Sequence, residues 1–164
     1  MQTLIDFQTP PSGSRWVAVN DVVMGGESLG HVEIAEGKLR FTGLLSLANN
    51  GGFASARMRD QRFDFSGFHQ VVMRVRGDGR RYQLRLATVA THRGIAVSYA
   101  ASFATTAGEW IIVRIALDSL APTVRGTPLD GPSLDPSSIR EVGLLIADKL
   151  AGNFSLEVEW IAVE

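Results

Sequence analysis

The chain has 164 residues, of which 45% are hydrophobic and 20% are charged, with a formal net charge of −1 and no cysteine. This charge gives no long-range attraction to nucleic acid or to anionic membranes, and the missing thiols exclude disulfides, thiolate catalysis and cysteine-ligated metals. The N-terminus has no signal or transit pattern, and no apolar run approaches the ~20 residues of a transmembrane helix. We therefore expect one cytoplasmic domain, residues 1–164, without membrane insertion.

Alternation of apolar and polar residues predicts short strands along the whole chain, whereas long helical periodicity is missing. The predicted strands, in order, are 3–7, 16–19, 30–35, 38–42, 53–58, 68–76, 80–87, 95–103, 110–117, 142–147 and 154–160. This many short strands between turn signals predicts an all-β antiparallel sandwich or barrel.

The connections carry recognisable turn signals. Gly77-Asp78-Gly79 predicts a β-hairpin between the strands at 68–76 and 80–87. One helical turn is expected at 135–138, with Asp135 as N-cap and Pro136 at the first helical position. The stretch 121–136 is the longest predicted irregular connection.

Two segments place turn formers within apolar runs. They are Trp16–Ser28 (WVAVNDVVMGGES) and Asn49–Arg57 (NNGGFASAR). One interpretation is a pair of surface loops whose polar side chains and glycine amides hold a ligand or partner. The other is structural: Asn20 and Asp21 bond the local backbone while Gly25 and Gly26 make a bend, and turn chemistry favours it.

Arginines make a second candidate surface. Four of them are expected on the outward face of the predicted hairpin: Arg74, Arg76, Arg81 and Arg85. Such a face would suit an acidic protein, a phosphate or a sugar acid. Alternatively, Glu157 and Glu159 of the last strand neutralise it.

Catalysis finds little support in the sequence. His31, His69 and His92 are scattered, which argues against a metal site, and no nucleophile elbow or phosphate-cradling loop is present. Paired carboxylates remain open for four acids: Asp6, Asp21, Asp78 and Asp148. The aromatic residues are expected to pack in the core: Trp16, Trp110, Trp160, Phe154 and Tyr82.

The spaced motifs together resemble the complex I intermediate-associated protein family. They are W-x-x-x-N-D-x-V-M-G-G-x-S at 16–28, F-x-G-x-L at 41–45, N-G-G-F-A-S-x-R at 50–57, R-G-D-G-x-x-Y at 76–82, G-x-W at 108–110 and P-x-x-R-G at 122–126, followed by Gly143, Lys149, Gly152 and Phe154. The resemblance implies a galactose-binding-like jelly roll of two antiparallel sheets. It also implies a non-catalytic accessory factor, because eukaryotic members help to assemble respiratory complex I.

We therefore predict a free-standing, bacterial-type binding or assembly-factor module without enzymatic activity, metal or cofactor. Its expected partner is a protein, such as an unassembled respiratory-complex subunit, and nucleic acid is not expected. The alternatives are a carbohydrate-binding module and, more weakly, a cryptic hydrolase. The candidate binding residues are Asn20, Asp21, Met24, Gly25, Gly26, Ser28, Asn50, Gly51, Gly52, Arg57, Arg74, Arg76, Asp78, Arg81 and Arg125.

Overall fold

The computed structural model describes residues 1–9 and 15–164. Thirteen strands lie in these ranges: β1 Gln2–Asp6, β2 Trp16–Asn20, β3 Leu29–Ala35, β4 Lys38–Leu45, β5 Ala54–Met58, β6 Gln70–Arg76, β7 Arg81–His92, β8 Ile95–Ala104, β9 Trp110–Ala116, β10 Ala121–Val124, β11 Thr127–Pro128, β12 Glu141–Ile146 and β13 Gly152–Val163. Short 3-10 helices occupy Asp21–Met24, Ala48–Asn50, Leu117–Ser119 and Pro136–Ser138. None of the helices in the described ranges is long and apolar enough to cross a lipid bilayer.

The strands form two antiparallel sheets. One has six strands in the order β3-β4-β13-β6-β9, and β1 also pairs with β13. The other has seven strands in the order β11-β10-β8-β7-β12-β5-β2. The predicted all-β jelly-roll sandwich of two antiparallel sheets is therefore confirmed.

Inward-facing side chains of both sheets make one core, as expected for a sandwich. Phe41, Met73 and Leu156 come from the six-stranded sheet, and Leu84 and Leu144 come from the seven-stranded sheet. All five are completely buried. Burial of such side chains supplies the main stabilising contribution to the fold.

The predicted hairpin at Gly77-Asp78-Gly79 is wrong. β6 pairs with β9 and β13 in one sheet, whereas β7 pairs with β8 and β12 in the other. Residues 77–80 therefore cross from one sheet to the other. Turn chemistry predicts a reversal of the chain, but it does not decide which neighbour each strand pairs with. The four arginines accordingly do not share one face.

A register shift in β13 corrects the prediction for the last strand. The shift lies between Val158 and Trp160, and Trp160 is paired with Arg74. Beyond it, Ile161 and Val163 belong to the hydrophobic core, whereas Trp160 is only partly buried. A bulge adds one residue to the strand and so exchanges the faces of all residues that follow.

Two further predictions concern connections and aromatic residues. The stretch 121–136 contains the short strands β10 and β11, and the helical turn is confirmed, with the Asp135 side chain accepting from the Ser137 N–H. The prediction of core packing is confirmed for Trp16, Tyr82 and Phe154. It is wrong for Trp110 and Trp160, which are partly buried on the outer face of the six-stranded sheet.

Candidate functional site

The buried carboxylate of Asp21 holds two loops together at one end of the sandwich. Its Oδ1 accepts from the Ser28 N–H at 2.9 Å, and its Oδ2 accepts from the Ser28 hydroxyl at 2.8 Å. The same Oδ2 accepts from the backbone N–H groups of Gly52 at 2.6 Å and Phe53 at 3.2 Å. The segment after β2 is thus fixed to the segment before β5.

The glycines of both segments make room for this carboxylate. A Cβ atom at Gly26 would overlap the Asp21 carboxyl, and one at Gly51 would lie 2.6 Å from its Oδ2. Gly25 ends the 3-10 helix in a left-handed conformation, with φ of 86°. Glycine is favoured in such a conformation and at such close approaches. The two motifs of the sequence therefore build a hydrogen-bonded junction.

Burial raises the pKa of the Asp21 carboxyl, but its hydrogen bonds outweigh this effect. Those from the Ser28 side chain and from the backbone of Ser28, Gly52 and Phe53 favour the ionised form. The pKa of Asp21 therefore lies below its usual value, as expected for a carboxylate surrounded by donors. Asp21 stays charged at neutral pH and acts as a permanent acceptor.

The remaining candidates of these loops differ in exposure. Ser28 is buried, and its hydroxyl also contacts the Ser46 carbonyl at 3.1 Å. Asn20 is partly buried and donates to the Gly30 carbonyl at 3.3 Å, whereas Asn50 is exposed with φ of 59°. The backbone of Met24 ends the 3-10 helix, but its side chain lies outside the described part of the structure.

Large apolar side chains are exposed at the same end of the sandwich. Val22 lies in the 3-10 helix after β2 and is 60% exposed. Leu29 and Leu44 face each other across β3 and β4, with 55% and 42% exposure. Leu47 follows β4 with 44% exposure, and Leu150 precedes β13 with 61%. We call these five residues the loop-end surface; exposed apolar area of this kind is typical of interaction sites.

Sequence reasoning missed the loop-end surface. Leu44 and Leu45 are consecutive apolar residues at the end of a strand, and this pair was the signal available. A strand presents neighbouring residues to opposite faces, so only one of the two can enter the core. Leu45 is buried and Leu44 is not.

The outer face of the six-stranded sheet carries a row of alternating charges. Glu33, Arg40, Glu157 and Arg76 are successive cross-strand neighbours on β3, β4, β13 and β6. Arg76 Nη2 lies 2.6 Å from Glu157 Oε1, and Arg40 Nε lies 3.3 Å from Glu157 Oε2. Burial raises the pKa of Glu157, but the bonds from Arg76 and Arg40 outweigh this and lower it.

Trp110 continues this row on β9, opposite Arg76. The guanidinium carbons of Arg76 and Arg74 lie 4.9 and 5.5 Å from its ring centroid, and Lys38 Nζ lies at 5.8 Å. Arg74 Nε is also 2.9 Å from Glu159 Oε2. Glutamates of β13 therefore neutralise Arg74 and Arg76, as the second of the two sequence interpretations proposed.

The outer face of the seven-stranded sheet also carries arginines, but these have few carboxylates close to them. Arg57 on β5 and Arg85 on β7 flank Gly143 of β12 in cross-strand register. Arg85 hydrogen-bonds to neutral side chains, and Arg57 Nη1 is 3.8 Å from Glu141 Oε1. Sequence reasoning could not bring Arg57 and Arg85 together, because the pairing of strands distant in the chain is not encoded locally.

The other candidate residues lie apart from the loop pair or within structural contacts. Asp78 Oδ1 accepts from the Tyr82 hydroxyl at 3.0 Å, and its Oδ2 accepts from the Ser155 N–H at 2.9 Å. Arg81 is exposed at the start of β7. Arg125 is exposed in the β10–β11 turn, at the edge of the seven-stranded sheet opposite to β2.

The acidic and histidine side chains are the remaining candidates for a metal or catalytic site. Within residues 1–9 and 15–164, no group of three or more His, Asp or Glu side chains could hold a metal ion. Asp148 is committed to an ion pair with Arg80, at 2.6 Å between Oδ1 and Nη2. A cleft of about 720 Å³ lies between β9, β10 and the segment around Asp130, and it is bordered by Leu120 and Leu134.

Comparison with solved structures shows the fold. A family 11 carbohydrate-binding module of a cellulosomal cellulase of Clostridium thermocellum has a TM-score of 0.71 and 11% identity, covering 99% of this chain and 94% of that one. A family 30 carbohydrate-binding module from the same organism has a TM-score of 0.62 and 16% identity, covering 99% and 95%. At these low identities the similarity shows that the chain shares the two-sheet fold of these modules.

Comparison of sequences shows the family. The protein "Complex I intermediate-associated protein 30, mitochondrial" of Drosophila melanogaster is 24% identical over 183 residues, which span 98% of this chain and 62% of that relative. The chain thus covers less than two thirds of the relative's length. The family named Complex I intermediate-associated protein 30 matches residues 5–158. This chain belongs to the complex I intermediate-associated protein 30 family.

Proposed function

We propose that this protein is a non-enzymatic binding module that acts by protein–protein contact through the loop-end surface. The observation that carries this proposal is the exposure of five large apolar side chains, between 42% and 61%, at the end organised by Asp21. The proposed partner is a subunit of respiratory complex I in an unassembled state, in line with the name of the Drosophila relative.

Rigidity of the loops supports this proposal. The Asp21 carboxylate and its four hydrogen bonds hold both segments in one arrangement. A surface that is ordered before binding loses less conformational entropy when the partner docks. An apolar surface with this property suits an unassembled subunit, since such a subunit exposes apolar area that it later buries in its complex.

The test is affinity capture from membrane extracts of the native cell. The double variant Leu29→Ser/Leu44→Ser removes two neighbouring apolar side chains that are already half exposed. Two interface contacts of about 1 kcal/mol each predict a loss of complex I subunits of roughly tenfold or more. Val89→Ser is the matched control, because Val89 is 67% exposed on β7, away from the loop end.

Both variants should keep the melting temperature of the parent chain, since exposed substitutions change stability little. Equal capture of complex I subunits by the parent chain and by the double variant would refute the role of this surface. Capture without any respiratory-complex subunit would refute the proposed partner.

Carbohydrate binding is the second candidate. It is supported by Trp110, a partly exposed aromatic ring on a sheet face with Arg74 and Arg76 beside it. Sugar rings pack on such aromatic faces, while neighbouring polar groups bind their hydroxyls. The test is a glycan array probed with the parent chain and with Trp110→Ala. Carbohydrate binding predicts a signal for the parent chain that is lost in the variant.

A further inference from the structure

The outward-facing arginines of the two sheets differ in how closely they pair with carboxylates. On the six-stranded sheet, Glu157 contacts both Arg40 and Arg76 directly. On the seven-stranded sheet, Glu141 lies 3.8 Å from Arg57 and 3.6 Å from Arg59, and Arg85 pairs with no carboxylate of the described residues. Positive charge therefore remains uncompensated on the seven-stranded sheet.

Arg85 is held in place by neutral groups. Its Nε donates to Gln83 Oε1 at 2.9 Å, and its Nη1 lies 3.1 Å from both Ser98 Oγ and Thr123 Oγ1. The Thr123 hydroxyl in turn donates to the Ser98 carbonyl at 2.8 Å. The Nη2 of Arg85 makes no hydrogen bond to any residue in the described ranges, so this nitrogen keeps free N–H donors on a guanidinium group that is held in place.

Arg57 is held in the same way on the other side of β12. Its Nε donates to Ser55 Oγ at 2.9 Å, and the Ser55 hydroxyl donates to the Val19 carbonyl at 2.6 Å. Gly143 lies between the two arginines, so their Cα atoms are about 10 Å apart across two strand spacings. A Cβ atom at Gly143 would lie 3.5 Å from Arg57 Cγ and 3.7 Å from Arg85 Cβ. Because glycine has no side chain, the space between the side chains of the two arginines is left free at this position.

Placing these two arginines side by side is energetically costly. Burial and, as the smaller cause, the nearby charge of Arg57 together lower the pKa of Arg85 to about 10. Burial is also the main cause of the lowered pKa of Arg57. The negative charge of an oxyanion bound between the two would offset the cost of burying these arginines and their mutual repulsion.

We propose that the outer face of the seven-stranded sheet binds a phosphate monoester of a hydroxyl-bearing small molecule between Arg57 and Arg85. A phosphate monoester carries nearly two negative charges and three oxygens, which matches two guanidinium groups better than a single carboxylate does. Gln83 and Ser102 are cross-strand neighbours on the same face and offer hydrogen bonds to ligand hydroxyls. This site is separate from the loop-end surface and does not depend on it.

The experiment follows the arginine Nε–Hε signals by NMR while inorganic phosphate, glucose 6-phosphate, glucuronate and glucose are added separately to the full chain. We expect both phosphates to shift the signals of Arg57 and Arg85, with glucose 6-phosphate binding more tightly, and glucose to leave them unchanged. Arg85→Gln should raise the dissociation constant for glucose 6-phosphate at least tenfold, and Arg57→Gln should do the same. Arg93→Gln is the control, because Arg93 is exposed in the β7–β8 turn.

Each alternative outcome contradicts a defined part of the proposal. Equal binding of glucuronate and glucose 6-phosphate would overturn the choice of phosphate over carboxylate. An equal loss in Arg93→Gln would show diffuse attraction to positive charge and overturn the site. The site would also be overturned if the signals of Arg57 and Arg85 did not shift at low salt, where electrostatic binding is strongest, with phosphate in up to about 50-fold excess over the protein.

The two proposals fail independently. Leu29→Ser/Leu44→Ser should bind glucose 6-phosphate like the parent chain, because those residues lie on the other sheet. Arg85→Gln should still capture the protein partner.

Discussion

Replacing Asp21 by asparagine tests whether the loop pair depends on one buried charge. Asparagine has nearly the same shape, so its oxygen can replace Oδ2 and still accept from Ser28, Gly52 and Phe53. Its amide group then replaces Oδ1 and faces the Ser28 N–H, which is left without an acceptor. The variant thus loses one hydrogen bond and the charge assistance of three others.

The size of the effect follows from these four bonds. Hydrogen bonds to a charged group contribute about 1 kcal/mol more than neutral ones, and a buried N–H without a partner costs about 1–3 kcal/mol. The relief from burying a charge offsets part of this loss, so we expect Asp21→Asn to lower the free energy of unfolding by about 3 kcal/mol. For a domain of this size, this corresponds to a fall in melting temperature of roughly 6–12 °C.

The measurement is urea unfolding of the parent chain and of Asp21→Asn between pH 7 and pH 3, with the exposed Asp130→Asn as control. The pKa of Asp21 is lower in the folded than in the unfolded chain. Its stabilising contribution is therefore present above the usual pKa of 3.8 and is lost as the pH falls through the folded value. The difference between parent and variant should shrink at the acid end. A difference below about 1 kcal/mol at pH 7, or one that does not depend on pH, would refute the reasoning.

Three further predictions concern stability and ionisation. Gly26→Ala should cost about 1–3 kcal/mol in urea unfolding, because the added methyl group overlaps the Asp21 carboxyl; a neutral effect would contradict the close packing of the loops. Glu157→Gln should cost about 1–3 kcal/mol because it removes the negative charge that pairs with Arg76, whereas Glu33→Gln should cost less than about 0.5 kcal/mol because Glu33 is 66% exposed. Similar losses in the two variants would argue against a specific role of the Arg76–Glu157 ion pair. Burial raises the pKa of both tyrosines, Tyr82 and Tyr99, so titration followed at 295 nm should show little phenolate near the usual pKa of 10 until the chain unfolds; an ordinary titration would contradict their burial.

Several features of the fold were predictable because they depend on neighbouring residues alone. Alternation of apolar and polar residues predicted strands that include β4, β9 and β12, since the side chains of a strand alternate between core and solvent. The Asp135-Pro136 signal predicted the helical turn for a similar local reason. The order of the spaced motifs predicted the family, which the match over residues 5–158 confirms.

The sites depended on contacts between distant parts of the chain. Asp21 and Gly52 are 31 positions apart, yet a single carboxylate joins them, and this turned two candidate loops into one rigid junction. The bulge near Trp160 moved its ring to the outer surface, because one added residue reverses the facing of those that follow.

The sequence by itself determined the alternation of strands, the turn chemistry and the family, because these follow from short stretches of residues. Tertiary structure decided which arginines meet glutamates and which do not. Arg76 and Arg85 belong to adjacent predicted strands, but these strands enter different sheets, so one arginine pairs with Glu157 and the other faces Gly143 beside Arg57. Strand pairing across long separations is settled by how both sheets close over the common core, and no local pattern encodes it.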